Sequence, residues 1–217
     1  MKAATRPGTA RQRPPWRHLP ALACALLASA ALGRGLWIPA KARAAQVLIA
    51  HAWSAQVHGA AARPPWPWAD TVPVARLRVA RLGVERFVLA GTGGTALAFG
   101  PGHLTGSAKP GLAASGNVVF AGHRDTHFAF LHQLRIGDQL EIQDASGDTV
   151  SYRVVWTRVV AAEDTWVVGV TGHRALTLIT CYPFGGLAGQ ARVRFVVRAR
   201  AIDNRAASAE PRAGHPR

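Results

Sequence analysis

From residue 74 to residue 201 the chain is cut into short apolar or alternating runs. None is long enough for more than one strand. "VARLRVA" and "DQLEIQ" alternate apolar and polar residues, the period of a strand with one buried face. "VERFVLAG" is a second short run that stops at Gly91, and "GNVVFAGH" is an unbroken apolar run of the kind buried on both faces. "DQLEIQ", the turn "DASGD" and "VSYRVVWTRVV" make a hairpin, and "ALTLIT" and "ARVRFVVRARA" supply two final strands. "TALAFGPG" fits a single helical turn. "THFAFLHQL", with Phe128, Leu131 and Leu134 three apart, fits a short helix. Seven or eight short strands with little helix restrict the fold to a β-sandwich or a closed barrel.

What precedes the strands has a different composition. Five basic residues (Lys2, Arg6, Arg11, Arg13, Arg17) lead into the uncharged run "LPALACALLASAALG", Leu19 to Gly33. Fifteen apolar residues fall short of the roughly 20 that cross a bilayer, but Arg34 can snorkel and "GLWIP" prolongs the segment, with Trp37 at the interface. The reading is a basic cytoplasmic tail over 1–18 and a single transmembrane anchor over 19–38, N-terminus inside. The rival is a cleaved signal peptide ending near "ASA" at Ala28 to Ala30. Either way the bulk of the chain is exported. Residues 40–58 lack Gly and Pro and read as a helix leaving the membrane. "GAAARPPWPWADTVP" then forms a linker, which gives a juxtamembrane segment over 39–73, a β-domain over 74–202 and a polar tail over 203–217.

The formal charge of +15 raises the question of nucleic acid, and its distribution answers it. Nine Lys and Arg precede the first acidic residue, Asp70, leaving 17 basic and 11 acidic residues spread over the rest. No basic stripe is interleaved with aromatics, so no nucleic-acid partner is expected. No CxxC or HExxH occurs and the nine histidines are scattered, so neither metal nor cofactor is expected.

Cys181 is the residue that asks for an explanation. Exported proteins pair their thiols, yet the only other cysteine, Cys24, lies in the membrane segment. A leftover cysteine there is an intermolecular bridge, a small buried residue or a working thiol. Cys181 closes a strand and precedes a Pro/Gly loop, which is where a side chain faces a cleft from a rigid support. His123 closes another strand within the polar cluster "AGHRDTHF", and a cysteine nucleophile needs such a proton partner. Arg194 offers a fixed positive donor for a developing oxyanion. By parity it shares one strand face with Arg192, Arg198 and Arg200, so alternation does not choose among them. Asp125 is expected to cap the following helix rather than to orient His123, and His127 to be structural.

A resemblance makes the choice. "TLITC", Thr177 to Cys181, is similar to the TLxTC signature of the sortases, membrane-anchored cysteine transpeptidases of bacteria. "GHRDTHFAFL" resembles the segment carrying their histidine, and "RFVV", Arg194 to Val197, the place where their arginine opens the last strand. With "WIPAKARAAQVLIAHAW", "GTALAFGPGHL" and "TCYPF", the likeness covers about residues 36–202 and looks like the proteobacterial branch. It implies a mainly β protein with short helices, a closed eight-stranded barrel preceded by the transmembrane helix, in the inner membrane with the catalytic domain periplasmic. It also implies the chemistry: Cys181 attacks a carbonyl in an LPXTG-like C-terminal sorting motif of an exported target protein, His123 serves as acid then base, and Arg194 holds the oxyanion. Thr180 is by the same analogy a substrate contact. An amine acceptor of unspecified identity resolves the thioester. The alternatives are an exported cysteine protease or amidase that releases the acyl group to water, and a membrane-anchored binding domain without catalysis.

Overall fold

A computed structural model describes residues 41–111, 115–185 and 192–202. The basic tail, the proposed anchor over 19–38, the 203–217 tail and most of the loop after Cys181 lie outside the described residues. Two compact units are separated, 1–44 and 45–217. Of the first, only helical residues 41–44 are described. Among the described residues no helix is long and apolar enough to cross a membrane.

The second unit is a closed barrel of eight strands: β1 (Pro73–Val79), β2 (Val84–Ala90), β3 (Gly102–His103), β4 (Gly116–Ala121), β5 (Gln139–Asp144), β6 (Thr149–Ala161), β7 (Arg174–Tyr182) and β8 (Val193–Ala201). Around the barrel the order is β1-β2-β3-β4-β7-β8-β6-β5. Closure leaves no open sheet edge, which explains how a chain of short strands avoids edge-to-edge association. The alternative of a two-sheet sandwich is thereby settled.

The alternation read in the sequence becomes the inside and outside of this wall. On β1, Ala75, Leu77 and Val79 are fully buried, and Arg76 and Arg78 point outward beside Glu85 (3.7 Å) and Glu141 (3.5 Å). These exposed ion pairs are worth at most about 1 kcal/mol each and favour the β2–β1–β5 register more than they stabilise the fold. The interior gathers Leu77, Phe120, Leu140, Ile142, Tyr152, Leu176, Leu178 and Val197 into one cluster. Each large side chain buried there contributes about 1.5–3 kcal/mol, so truncating Leu178 to Ala lies in the range that unfolds marginal domains. β4 is buried on both faces, as its unbroken apolar run requires, because it pairs in parallel with β7 and is covered from outside.

Helix α1 is described over 41–57, and the part of it that belongs to the second unit, from residue 45, packs on the barrel. Ile49 and Trp53, four apart on one helix face, are 1% and 3% exposed. Ile49 packs in a satellite cluster with Leu89 and Ala96, flanked by Trp66, Phe87 and Phe99, and Trp53 lies 6.4 Å from Phe87. Gln46 Nε2 donates to the Phe99 carbonyl at 2.5 Å. The expected helical turn is α2 (Gly94–Phe99), and the expected helix after His123 is a 3-10 turn, Ala129–Gln133. β3 was not legible as a strand: two residues are too few to show a period.

Candidate active site

Parallel pairing of β4 with β7 keeps one constant register, from Gly116 opposite Arg174 to Ala121 opposite Ile179. The Gly122 N–H continues it by donating to the Ile179 carbonyl at 3.1 Å. Carried on by the same offset, the next position sets Gly122 beside Thr180, and His123 follows where the strand has ended. On the other side of β7, β8 runs antiparallel and pairs Cys181 directly with Arg194. The constant 58-residue offset of β4 on β7 brings the end of β4, just before His123, to the end of β7 that carries Cys181. Neighbouring strands lie about 4.8 Å apart, so Cys181 and Arg194 form one row across β7 and β8.

The row faces outward. Leu176 and Leu178 of β7 and Val197 and Ala199 of β8 belong to the barrel interior. Period two therefore sends Thr177, Ile179 and Cys181 to the outer face, together with their partners Arg198, Val196 and Arg194. Cys181 is a free cysteine and partly exposed, Arg194 is partly exposed and His123 is exposed. The thiol is therefore not sealed in the core. Register also separates the four arginines that parity left together. Arg194 stands across from Cys181, Arg198 sits four pairs back, across from Thr177, Arg200 lies opposite Ala175 at the far end, and Arg192 precedes the strand and is exposed. Arg194 Nη1 also donates to the Val193 carbonyl at 3.2 Å, which restrains the side chain at its base.

Two local devices fix the row. The Thr180 hydroxyl donates to the Gly122 carbonyl at 2.7 Å, in a position only 2% exposed. Thr180, expected as a substrate contact, therefore lies beneath the surface with its hydroxyl engaged, one residue from Cys181 and reaching a point one residue from His123. Beyond Gly122 the chain turns sharply. The His123 carbonyl accepts from Phe128 N at 3.0 Å and Thr126 N at 3.4 Å, and the Phe128 ring folds back onto Gly122. A Cβ on Gly122 would come within 2.8 Å of that ring, which is itself fully buried. Glycine is required here for close approach. The motif "AGH" contains this signal, but its reason is visible only once Phe128 is placed.

Asp125 lies in the turn that precedes Ala129–Gln133; its carboxylate stands 3.4 Å from Arg124 Nε, and Arg124 is buried at 5% exposure. His127 bonds the Ala98 backbone of α2. Burial above all, with smaller contributions from the Arg86 and His123 charges, holds its imidazole below the ordinary histidine range. Past Cys181, Tyr182, Phe184 and Phe195 contact one another at 5.3–6.3 Å and anchor the start of the next loop. Among the described residues no group of His, Cys, Asp and Glu is arranged to hold a metal ion.

Sequence reading missed Asn117 and Arg198, both buried on the outer face behind Cys181. Asn117 falls in an apolar strand, where a buried amide has no periodic signature, and Arg198 is one of four arginines alike in sequence.

Comparison with known proteins agrees with this fold. A profile described as the sortase domain matches residues 77–202. The chain is 33% identical over 122 residues to Sortase D of Bacillus subtilis (strain 168), covering 56% of this chain and 60% of that protein. It thus spans less than two thirds of that relative's length. The fold is similar to Sortase A from Corynebacterium diphtheriae, with a TM-score of 0.57 and 25% identity over 73% of this chain and 84% of that one. It is also similar to a Clostridium perfringens Sortase D5 transpeptidase, with a TM-score of 0.52 and 26% identity over 60% and 79%. With the domain profile covering more than half of its length, and a closed eight-stranded barrel that pairs Cys181 with Arg194, the chain belongs to the sortase family.

Proposed function

We propose that this chain is a cysteine transpeptidase that cleaves an LPXTG-like sorting motif near the C-terminus of an exported protein and transfers the target to an amine. The observation that carries the reading is the direct pairing of Cys181 with Arg194, with the end of β4 that leads into His123 alongside on the other side of β7. The Cys181 sulfur attacks the scissile carbonyl, and the charge that develops on its oxygen is met by the Arg194 guanidinium. His123 protonates the departing amine as the tetrahedral species collapses to a thioester. It then removes a proton from the incoming amine, whose attack releases Cys181. Thr180 serves this chemistry from below, by joining the backbone beside His123 to that beside Cys181. The membrane anchor over 19–38, the cytoplasmic N-terminus and the periplasmic catalytic domain are supported by the charge pattern of the first 43 residues. Assignment to the proteobacterial branch is supported by the Trp/Pro linker and "TCYPF".

The test is incubation of the protein with a sorting-motif peptide, with and without an added amine, followed by mass spectrometry of products and of Cys181. A thioester on Cys181 and incorporation of the amine are expected. Release of the acid alone at saturating amine indicates a hydrolase, and no thiol-dependent cleavage of any candidate peptide indicates a binding domain.

A further inference from the structure

β6 ends at Ala161, opposite Val193 and beside the Cys181 row, whereas β7 begins at Arg174, opposite Gly116 at the far end of the barrel. The connection 162–173 must therefore travel back along β7, a distance of about 23 Å at strand rise. It does so across the outer face. Val167 packs against Val160 and Val196, with Ile179 alongside. Ile179 and Val196 each stand two residues from Cys181 and Arg194, so the connection lies on the outer face immediately behind them.

Three buried polar side chains from three adjacent strands hold it there. Arg198 of β8 donates from Nη2 to the Val167 carbonyl at 2.7 Å. Asn117 of β4 donates from Nδ2 to the carbonyls of Val167 and Gly169, each at 3.1 Å. Thr177 of β7 donates to Asn117 Oδ1 at 2.6 Å, which fixes the amide so that its NH2 points at the connection. Arg198, Asn117 and Thr177 are 8%, 3% and 0% exposed. The Arg198 guanidinium also lies 5.3 Å from the Trp156 ring, as does that of Arg158. A buried cation held by a carbonyl and an aromatic face is a poor way to gain stability, since apolar groups of similar volume do as well or better. Such groups do impose one geometry on what they bind. On the held segment Trp166 is 52% exposed and Val170 94%, presented to solvent from a fixed backbone.

We propose that Arg198 and Asn117 are positioning residues that latch the 162–173 connection onto the outer face of the barrel behind Cys181 and Arg194, so that the surface an incoming target meets there is set before the target arrives. The proposal rests on the transpeptidase reading for its kinetic consequence only, because the latch itself has a readout without substrate. In the full chain, Arg198→Met keeps the stem and removes the donors, and Arg198→Lys restores a charged donor. Asn117→Ala is the second variant should Arg198→Met fold poorly. Hydrogen exchange over 162–173 is expected to lose about tenfold protection in Arg198→Met, the size of one lost buried hydrogen bond, with β4 and β7 unchanged and Arg198→Lys partly rescued. With a sorting-motif peptide, KM should rise about tenfold while kcat stays within about twofold, and alkylation of Cys181 by iodoacetamide should keep its wild-type rate. Unchanged exchange in 162–173 in both Arg198→Met and Asn117→Ala overturns the latch, and so does raised exchange with KM unaltered. A wild-type protein that cleaves no peptide refutes the transpeptidase reading instead, while the exchange result still decides the latch.

Discussion

Thr180→Val replaces a hydroxyl by a methyl group at nearly constant shape, at a position 2% exposed. The substitution deletes the 2.7 Å bond to the Gly122 carbonyl and leaves that oxygen without this donor. An unmet buried acceptor costs about 1–3 kcal/mol. At roughly 2–4 °C per kcal/mol for a unit of this size, the melting temperature should fall by about 3–10 °C. The catalytic effect should be larger than the stability effect suggests, because the bond joins the residue before Cys181 to the residue before His123. A loosened row misplaces the proton carrier relative to the sulfur, and displacements near 1 Å cost on the order of a hundredfold in rate. Turnover of a sorting-motif peptide should therefore fall by about ten- to a hundredfold with KM little changed, measured alongside thermal melts. Thr180→Ser keeps the donor and should retain most of the activity. If Thr180→Val works within about twofold of wild type, or if Thr180→Ser is as impaired as Thr180→Val, the reasoning fails. The second outcome would mean that the methyl group, not the hydroxyl, matters.

Gly122→Ala drives a Cβ to within 2.8 Å of the buried Phe128 ring, an overpacking expected to cost about 1–3 kcal/mol and to displace His123. A variant that melts and turns over like wild type shows that the ring can yield. Arg194→Ala should abolish thioester formation, while Arg192→Ala, outside the strand, should leave it largely intact; the reverse pattern in mass spectra of Cys181 would contradict the β7–β8 register. Tyr152 is 1% exposed, and burial pushes its phenol up to about 12, with the Arg174 charge a smaller opposing influence. Its folded value lies above the ordinary 10, so the neutral phenol's contribution is whole below pH 10 and is lost as pH rises from 10 to 12, on the order of 3 kcal/mol. Urea midpoints between pH 9 and 11.5 should decline less steeply in Tyr152→Phe than in wild type, and equal slopes would remove Tyr152 from the account.

Most of the strands were legible because each carries its own signal over five or more residues. The alternating Ala75, Leu77 and Val79 and the unbroken "NVVF" of β4 mark burial without reference to any other part of the chain. Cys181 and His123 stand out as candidates for a related reason: each follows such a run, in a polar or glycine-rich setting that a core does not need. Other features depend on partners distant in sequence. Gly102–His103 is a strand only because β2 and β4 flank it. Arg194 differs from Arg198 only through the register of β8 on β7, which makes one a neighbour of the thiol and the other a buried clasp. Thr180 carries no sign that its hydroxyl reaches across to Gly122, and Asn117 none that it holds carbonyls fifty residues away. Local pattern thus determined which segments are strands. Pairing between strands, which no single segment encodes, decided that a thiol and a guanidinium would stand side by side on the outside of the barrel.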